Sequence, residues 1–188
     1  QNVYLEIWIE KDALSSIFTR VAQPYTVPVV VCRGFSSVSF LNDYRDRLSD
    51  YSKGRKPVLL YFGDFDPSGV EMLEAMKITL REELYVERVK FKRVALLKED
   101  IAKYKLPHSP EAIKKGDTRT IKHIAEYGEL AVELDALSPA VLESKIREAI
   151  EDELNINLFR YEQGLNAQEL EKLRDIKAKV TNLVSSVI

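Results

Sequence analysis

Val58-Leu59-Leu60-Tyr61-Phe62-Gly63-Asp64-Phe65-Asp66-Pro67-Ser68-Gly69 is the stretch from which the fold of this chain is read. Five successive apolar residues, bounded by turn residues, predict a short strand buried on both faces. Gly63 ends the run, and Ser68 is expected to cap a helix reaching about Leu84. A buried strand that runs through a glycine-bearing turn into a helix is the unit of an open parallel sheet. In such sheets the loops at the C-terminal strand ends form the ligand crevice. Extended backbone through Asp64-Phe65-Asp66 points alternate side chains the same way, so both carboxylates face one side. Pro67 favours that geometry by biasing Asp66 toward β or polyproline conformation.

Upstream, residues 3–9 read as a mostly apolar strand. Asp12 is expected to cap a helix from Ala13 to Gln23, which Pro24 ends. Val27 to Cys32 reads as a second strand, with Val29-Val30-Val31 apolar on both faces. Arg33-Gly34-Phe35-Ser36 is a turn, Ser36 or Ser37 caps a helix to about Leu48, and Asp50 to Lys56 is a polar loop. Downstream, Val86 to Leu97 looks like a further strand region. The repeating β-α pattern predicts an α/β, Rossmann-like parallel sheet with helices on both faces over residues 1–137.

A long loop begins at Leu106-Pro107-His108-Ser109-Pro110, then a short helix from Arg119 to Tyr127 precedes Ala131-Val132-Glu133-Leu134-Asp135. Ser138-Pro139 starts a helix to about Leu154, opening a C-terminal helical extension over 138–188. Leu173, Ile176, Val180, Leu183 and Val187 follow a 3-4-3-4 spacing. Two heptads are too few to define a coiled coil. The expectation is packing back onto the domain, with a homodimer seam as the alternative.

With 188 residues, 45% of them hydrophobic and 31% charged, the composition is that of a soluble globular protein. The single cysteine, Cys32, excludes an internal disulfide, and no Cys/His cluster suggests zinc. No apolar run approaches the ~20 residues that cross a bilayer, and the start has no signal-peptide pattern. A reducing, cytoplasmic setting without membrane contact is expected. The chain lacks an initiator Met and enters a strand almost at once, so more protein upstream is expected. A net charge of −2 does not advertise nucleic-acid binding, although local Lys/Arg clusters and bound cations can meet phosphates.

Three acidic residues fall at strand C-terminal ends: Glu10 after the first strand, Asp64 and Asp66 after the third. Carboxylates crowded together repel, and a shared cation lets them coexist. Mg²⁺ suits such a site because it prefers hard oxygens and is held by one or two carboxylates plus phosphate oxygens and water; Mn²⁺ is the admissible substitute. The chemistry this implies is phosphoryl or phosphodiester transfer. Plainer explanations stand beside it. Glu10 alone reads as a solvated residue or an ion-pair partner of Lys11, and Asp-Pro-Ser-Gly is also a good turn.

Trp8-Ile9-Glu10-Lys11-Asp12-Ala13-Leu14, followed by Tyr61-Phe62-Gly63-Asp64-Phe65-Asp66-Pro67-Ser68-Gly69, closely resembles the two signature motifs of Toprim domains. The resemblance is nearest to the topoisomerase VI A-subunit and meiotic double-strand-break branch, and to small phage and prokaryotic Toprim proteins. Cys32-Arg33-Gly34-Phe35-Ser36-Ser37 is similar to their glycine-aromatic loop, and residues 131–137 to their "AEIxAL" element. The likeness runs from about Leu5 to Leu137.

The resemblance implies a Mg²⁺-dependent domain acting on DNA, with RNA left open. Glu10 becomes a metal ligand or general acid/base, and Asp64 and Asp66 become the metal-binding aspartates. Lys11, Arg33, Gly34, Ser68 and Arg119 become candidates for the nucleic-acid groove, with Asp117, Lys114 and Lys115 near the last. Glu133 and Asp135 are candidate additional acids. His108 and His123 lack any surrounding motif and are expected in surface or loop roles.

Topoisomerase VI-type enzymes cut with a tyrosine on a winged-helix domain before Toprim, and this chain starts at the first Toprim strand. Two catalytic forms are therefore expected, a Toprim nuclease using metal-activated water or the metal-binding half of a larger cleavage enzyme. The alternative is a non-catalytic metal-binding module for nucleic-acid binding or assembly, completed by an upstream winged-helix domain. A haloacid-dehalogenase-type phosphatase also uses Asp-x-Asp after a buried strand, but it leaves Glu10 without a role.

Overall fold

A computed structural model of the chain describes residues 1–32, 37–113 and 117–185, with side chains to residue 182. Four parallel strands, β1 (Val3–Ile9), β2 (Val29–Val31), β3 (Lys56–Phe62) and β4 (Lys90–Ala95), form one sheet in the order β2-β1-β3-β4. The fold is thus α/β and Rossmann-like, as the alternating pattern predicts. The most continuous apolar runs, β1 and β3, occupy the middle, where a strand is covered on both faces. They pair over seven residues, from Val3↔Lys56 to Ile9↔Phe62.

That register brings the strand ends level. The Glu10 N–H donates to the Phe62 carbonyl at 3.0 Å, and the Gly63 N–H to the Ala95 carbonyl at 2.8 Å. Three loops therefore leave the sheet side by side.

Alternation along the strands divides the core into two layers. On one face Trp8, Leu59 and Tyr61 pack with Leu41 and Tyr44 of α2 (Val38–Arg47) and Met72 and Met76 of α3 (Pro67–Ile78). Trp8 meets the rings of Phe40 and Tyr44 edge-on, both at 5.0 Å. On the other face Phe18 of α1 (Ser15–Ala22) meets Phe62 edge-on at 4.8 Å. There α1 packs against α6 (Pro139–Glu153), which buries Leu142, Ile146 and Ile150. Each fully buried large apolar side chain contributes about 1.5–3 kcal/mol relative to exposure, so the middle strands are rigid supports. Glu6 of β1 is buried on the face that α2 covers, fully bonded by Tyr4 Oη (2.6 Å), Trp8 Nε1 (2.9 Å) and two nitrogens of Arg47 (3.0 and 3.1 Å).

Several elements differ locally from expectation. Asp12 lies inside a 3₁₀ turn, Asp12–Leu14, rather than at a cap, and another 3₁₀ turn, Gln23–Tyr25, closes α1. β2 is shorter than expected and only half-buried, because it is an edge strand with one neighbour. Ser37 caps α2, accepting from the Phe40 N–H at 3.2 Å. π-type turns at Leu48–Ser52 and Thr79–Glu83 end α2 and α3. After β4 comes α4 (Lys98–Tyr104), which lacks a local sequence signal: Leu97 stands at its cap, and Asp100 accepts the Leu97 N–H at 3.0 Å. Residues 131–135 make one antiparallel bridge, Val132 to Phe65, then a 3₁₀ turn, Leu134–Ala136.

The chain divides into a compact unit, Asn2–Glu153, holding the sheet, and a second unit of residue 1 with residues 154–188. The helix of the second unit is α7 (Ile156–Ser185). Among the described residues no helix is long and apolar enough to cross a membrane.

Candidate functional site

Glu10 leaves β1 and turns its carboxylate toward the loop after β3. Its Oε2 accepts the Asp64 N–H at 3.2 Å and lies 3.4 Å from the Tyr61 hydroxyl, which donates to it. Tyr61 itself is fully buried. Burial, and then the charge of Asp64, push the Glu10 carboxyl up to about 7. The Asp64 N–H and the Arg93 cation pull the other way, and Asp66 adds to the rise. Burial also raises Asp64, countered by the Leu134 N–H and the Lys11 cation. Glu10 and Asp64 are therefore electrostatically coupled beyond the C-terminal ends of β1 and β3.

Phe65 organises the two aspartates. It is buried, bonds Val132 in both directions at 2.9 Å, and sits edge-on to His123 (5.6 Å) and Tyr127 (5.1 Å) of α5 (Thr118–Tyr127). Asp64 and Asp66, flanking it, each spend one oxygen on a backbone donor. Asp64 Oδ1 accepts the Leu134 N–H at 2.7 Å, and Asp66 Oδ1 accepts the Gly69 N–H at 2.6 Å. Asp66 is thus the N-cap of α3, with Pro67 at N1, and Ser68 is an exposed first-turn residue rather than the cap. The extended Asp66 backbone (φ −142°, ψ 173°) that Pro67 favours puts its carboxylate within reach of the Gly69 N–H. Gly69 is required by a close approach: a Cβ there would lie 2.4 Å from the Asp64 carbonyl oxygen.

Lys11 bridges to the segment after Val132. Its Nζ donates to Glu133 (2.7 Å) and Asp135 (2.9 Å) and stands 3.9 Å from Asp64 Oδ1. The two additional acids are therefore at the site, through Lys11. Arg119 opens α5 and pairs with Asp117, the α5 cap, at 2.5 Å. Arg33, Gly34, Lys114 and Lys115 lie outside the described residues. His108 is a loop residue bonded to the Ala131 carbonyl at 2.9 Å. His123 is not at the surface: it is buried against Phe65 and donates from Nε2 to the Leu130 carbonyl at 2.7 Å. The rings of Phe65 (5.6 Å) and Tyr127 (5.1 Å) pack against its imidazole.

Arg93 of β4 was not marked by the sequence. Its guanidinium donates to the carbonyls of Gly69 (2.9 Å), Gly63 (3.2 Å) and Asp64, its Nε donates to Leu96 (3.0 Å), and it stacks over Tyr61 at 5.3 Å. One cation thus pins both ends of the 63–69 loop and is electrostatically coupled to Glu10, Asp64 and Asp66. The available signal was an arginine directly before the buried run Val94-Ala95-Leu96, where a charge must find partners.

Among the described residues, no three His, Cys, Asp or Glu side chains are grouped so as to cage an ion by themselves. Glu10 and Asp64 fit a hard dication in the sparser mode, one or two carboxylates with phosphate and water completing the shell. Burial first, and then neighbouring carboxylate charge, makes both carboxyls weaker acids than usual, against the opposing pull of Arg93 on Glu10 and Lys11 on Asp64. A cavity of about 800 Å³ opens elsewhere, beside Val3, Lys56 and Lys90 at the N-terminal ends of the strands, and it does not include these acids. No protein-family model matches the chain, and no curated protein matches it.

Proposed function

We propose that this chain is a Toprim-type domain carrying out Mg²⁺-dependent phosphodiester chemistry on nucleic acid, DNA in the first instance. The observation that carries the reading is the Glu10 carboxylate, held at 3.2 Å from the Asp64 N–H and raised to about 7 by burial and by Asp64. Two acids crowded at the C-terminal edge of a parallel sheet, beside the start of α3, are what a dication and a phosphate require. Glu10 and Asp64 would hold the ion together with phosphate oxygens and water, Asp66 adding its charge from the cap of α3, with Mn²⁺ able to replace Mg²⁺. When bound, the ion supplies charge neutralisation on the phosphate and orients the attacking oxygen.

The remaining work falls to the chain. Glu10 is the acid whose charge the ion would stabilise, since without a cation burial and Asp64 hold its carboxyl up at about 7. Lys11, Ser68 and Arg119 are the groups that would meet a phosphate backbone, Lys11 and Arg119 by exchanging their present carboxylate partners, and Arg93 holds the acid-bearing loop in one shape. Tyr61, the hydroxyl beside Glu10, is no nucleophile: burial and then the Glu10 charge push its ionisation far up. Within this chain, hydrolysis by water is the route its own groups support.

The test is Mn²⁺ binding followed by electron paramagnetic resonance, run beside nicking of supercoiled plasmid in Mg²⁺. Wild type binds the ion and nicks; Glu10→Gln lowers nicking by about 10²–10⁴-fold, and chelation abolishes it. Binding without nicking supports the alternative, a non-catalytic nucleic-acid-binding or assembly module. A wild type that takes up no Mn²⁺ rules out both.

A further inference from the structure

α7 runs for 30 residues, and from residue 160 to residue 182 every side chain is exposed. That includes Tyr161, Leu165, Leu173, Ile176 and Val180. At about 100° per residue, these five project from one side, interleaved there with Glu162, Glu169, Lys172 and Lys179. A long helix with Gly164 in its interior gains little from propensity alone; helices in proteins owe most of their stability to a packed apolar face. A stripe of this length marks a surface made to be covered.

The order of charges says what covers it. The two acids of the stripe lie in the first half of α7 and the two bases in the second. Reversing the helix about the point between Leu170 and Glu171 carries Tyr161 onto Val180 and Leu165 onto Ile176. The same operation carries Glu162 onto Lys179 and Glu169 onto Lys172. Leu173 falls opposite Gln168, so it is the four charges and four of the five apolar residues of the stripe that match their own reverse. Parallel pairing would instead set each Glu against Glu and each Lys against Lys, which is unfavourable.

We propose that α7 binds α7 of a second copy of this chain in an antiparallel pair, making a two-fold dimer. Apolar residues of one helix fill the gaps of the other, and four Glu–Lys contacts flank them. The inference is independent of any chemistry at Glu10.

Sedimentation equilibrium of the whole chain is expected to give twice the chain mass. Glu162→Lys with Glu169→Lys makes the stripe wholly basic and weakens association by about 10- to 1000-fold, from four attractive contacts turned repulsive. Lys172→Glu with Lys179→Glu has the same effect. Mixing the two variants restores a dimer, which shows that each still folds. For orientation, Tyr161→Cys mixed with Val180→Cys forms a disulfide-linked pair on oxidation. Tyr161→Cys alone does not, since antiparallel copies hold residue 161 about 28 Å apart. A monomeric wild type, a dimer indifferent to both charge reversals, or Tyr161→Cys linking to itself would overturn the proposal.

Discussion

Replacing Glu10 by Gln is expected to stabilise the metal-free protein, and to do so chiefly above neutral pH. In the folded chain Glu10 ionises at about 7, against 4.5 for an unperturbed glutamate. The folded state therefore keeps a proton that the unfolded chain releases between these values. Stability from this group is greatest below pH 4.5, falls as pH rises through the window, and is level above about 8. The full difference corresponds to about 3 kcal/mol, and water at a half-buried carboxylate reduces it to about 2 kcal/mol. Gln cannot ionise, so the variant escapes this loss.

Urea unfolding in chelator at pH 5 and pH 8 measures it. At pH 8 the variant should be about 2 kcal/mol more stable, or about 4–8 °C in Tm; at pH 5 the gap should fall below about 1 kcal/mol. A slope remains in the variant because burial also raises Asp64. Adding Mg²⁺ at pH 8 should stabilise wild type and leave the variant unchanged. A variant no more stable than wild type at pH 8, or a gap that does not change with pH, would refute the reasoning.

Two further outcomes follow from the same geometry. Arg93→Met leaves the carbonyls of Gly63, Asp64 and Gly69 without their shared donor, at a cost of about 3 kcal/mol or more by urea unfolding. Arg93→Lys recovers little of this because an ammonium cannot span the carbonyls a guanidinium fork reaches. Gly69→Ala drives a methyl to 2.4 Å from the Asp64 carbonyl oxygen and displaces the loop that orients Asp64. Mn²⁺ uptake should fall at least about tenfold, roughly 1.4 kcal/mol, while far-ultraviolet circular dichroism of the sheet and helices is retained.

The middle of the sheet was legible because its signals are local. Leu59 to Phe62 and Ile7 to Ile9 are uninterrupted apolar runs rich in aromatic and β-branched residues, and with Pro57 and Gly63 bounding the former they suit a strand covered on both faces. Their loops had to carry Glu10, Asp64 and Asp66 to one edge, whichever helices covered the faces. α4 was not legible, since Leu97 offers no capping side chain; of its two first-turn acids, Asp100 takes up the Leu97 N–H and is also held by Lys145 of α6 at 2.7 Å, a partner the local sequence does not show. The exchange of Asp66 for Ser68 as the cap of α3 is a matter of one turn. Both residues can cap, and the bridge that fastens Phe65 to Val132 fixes Asp66 in position.

The sequence by itself determined the strand-turn-helix units, the parallel α/β class and the placing of three acids at strand ends. Each depends on residues within a few positions of one another. Only the tertiary structure decided what surrounds those acids. Leu134 reaches Asp64 across 70 residues, and Glu133 reaches Lys11 across 122. Arg93 closes the loop from a neighbouring strand 24 to 30 residues away. Such partners are chosen by strand order and register, which arise from burying the whole core at once, so no local pattern announces them.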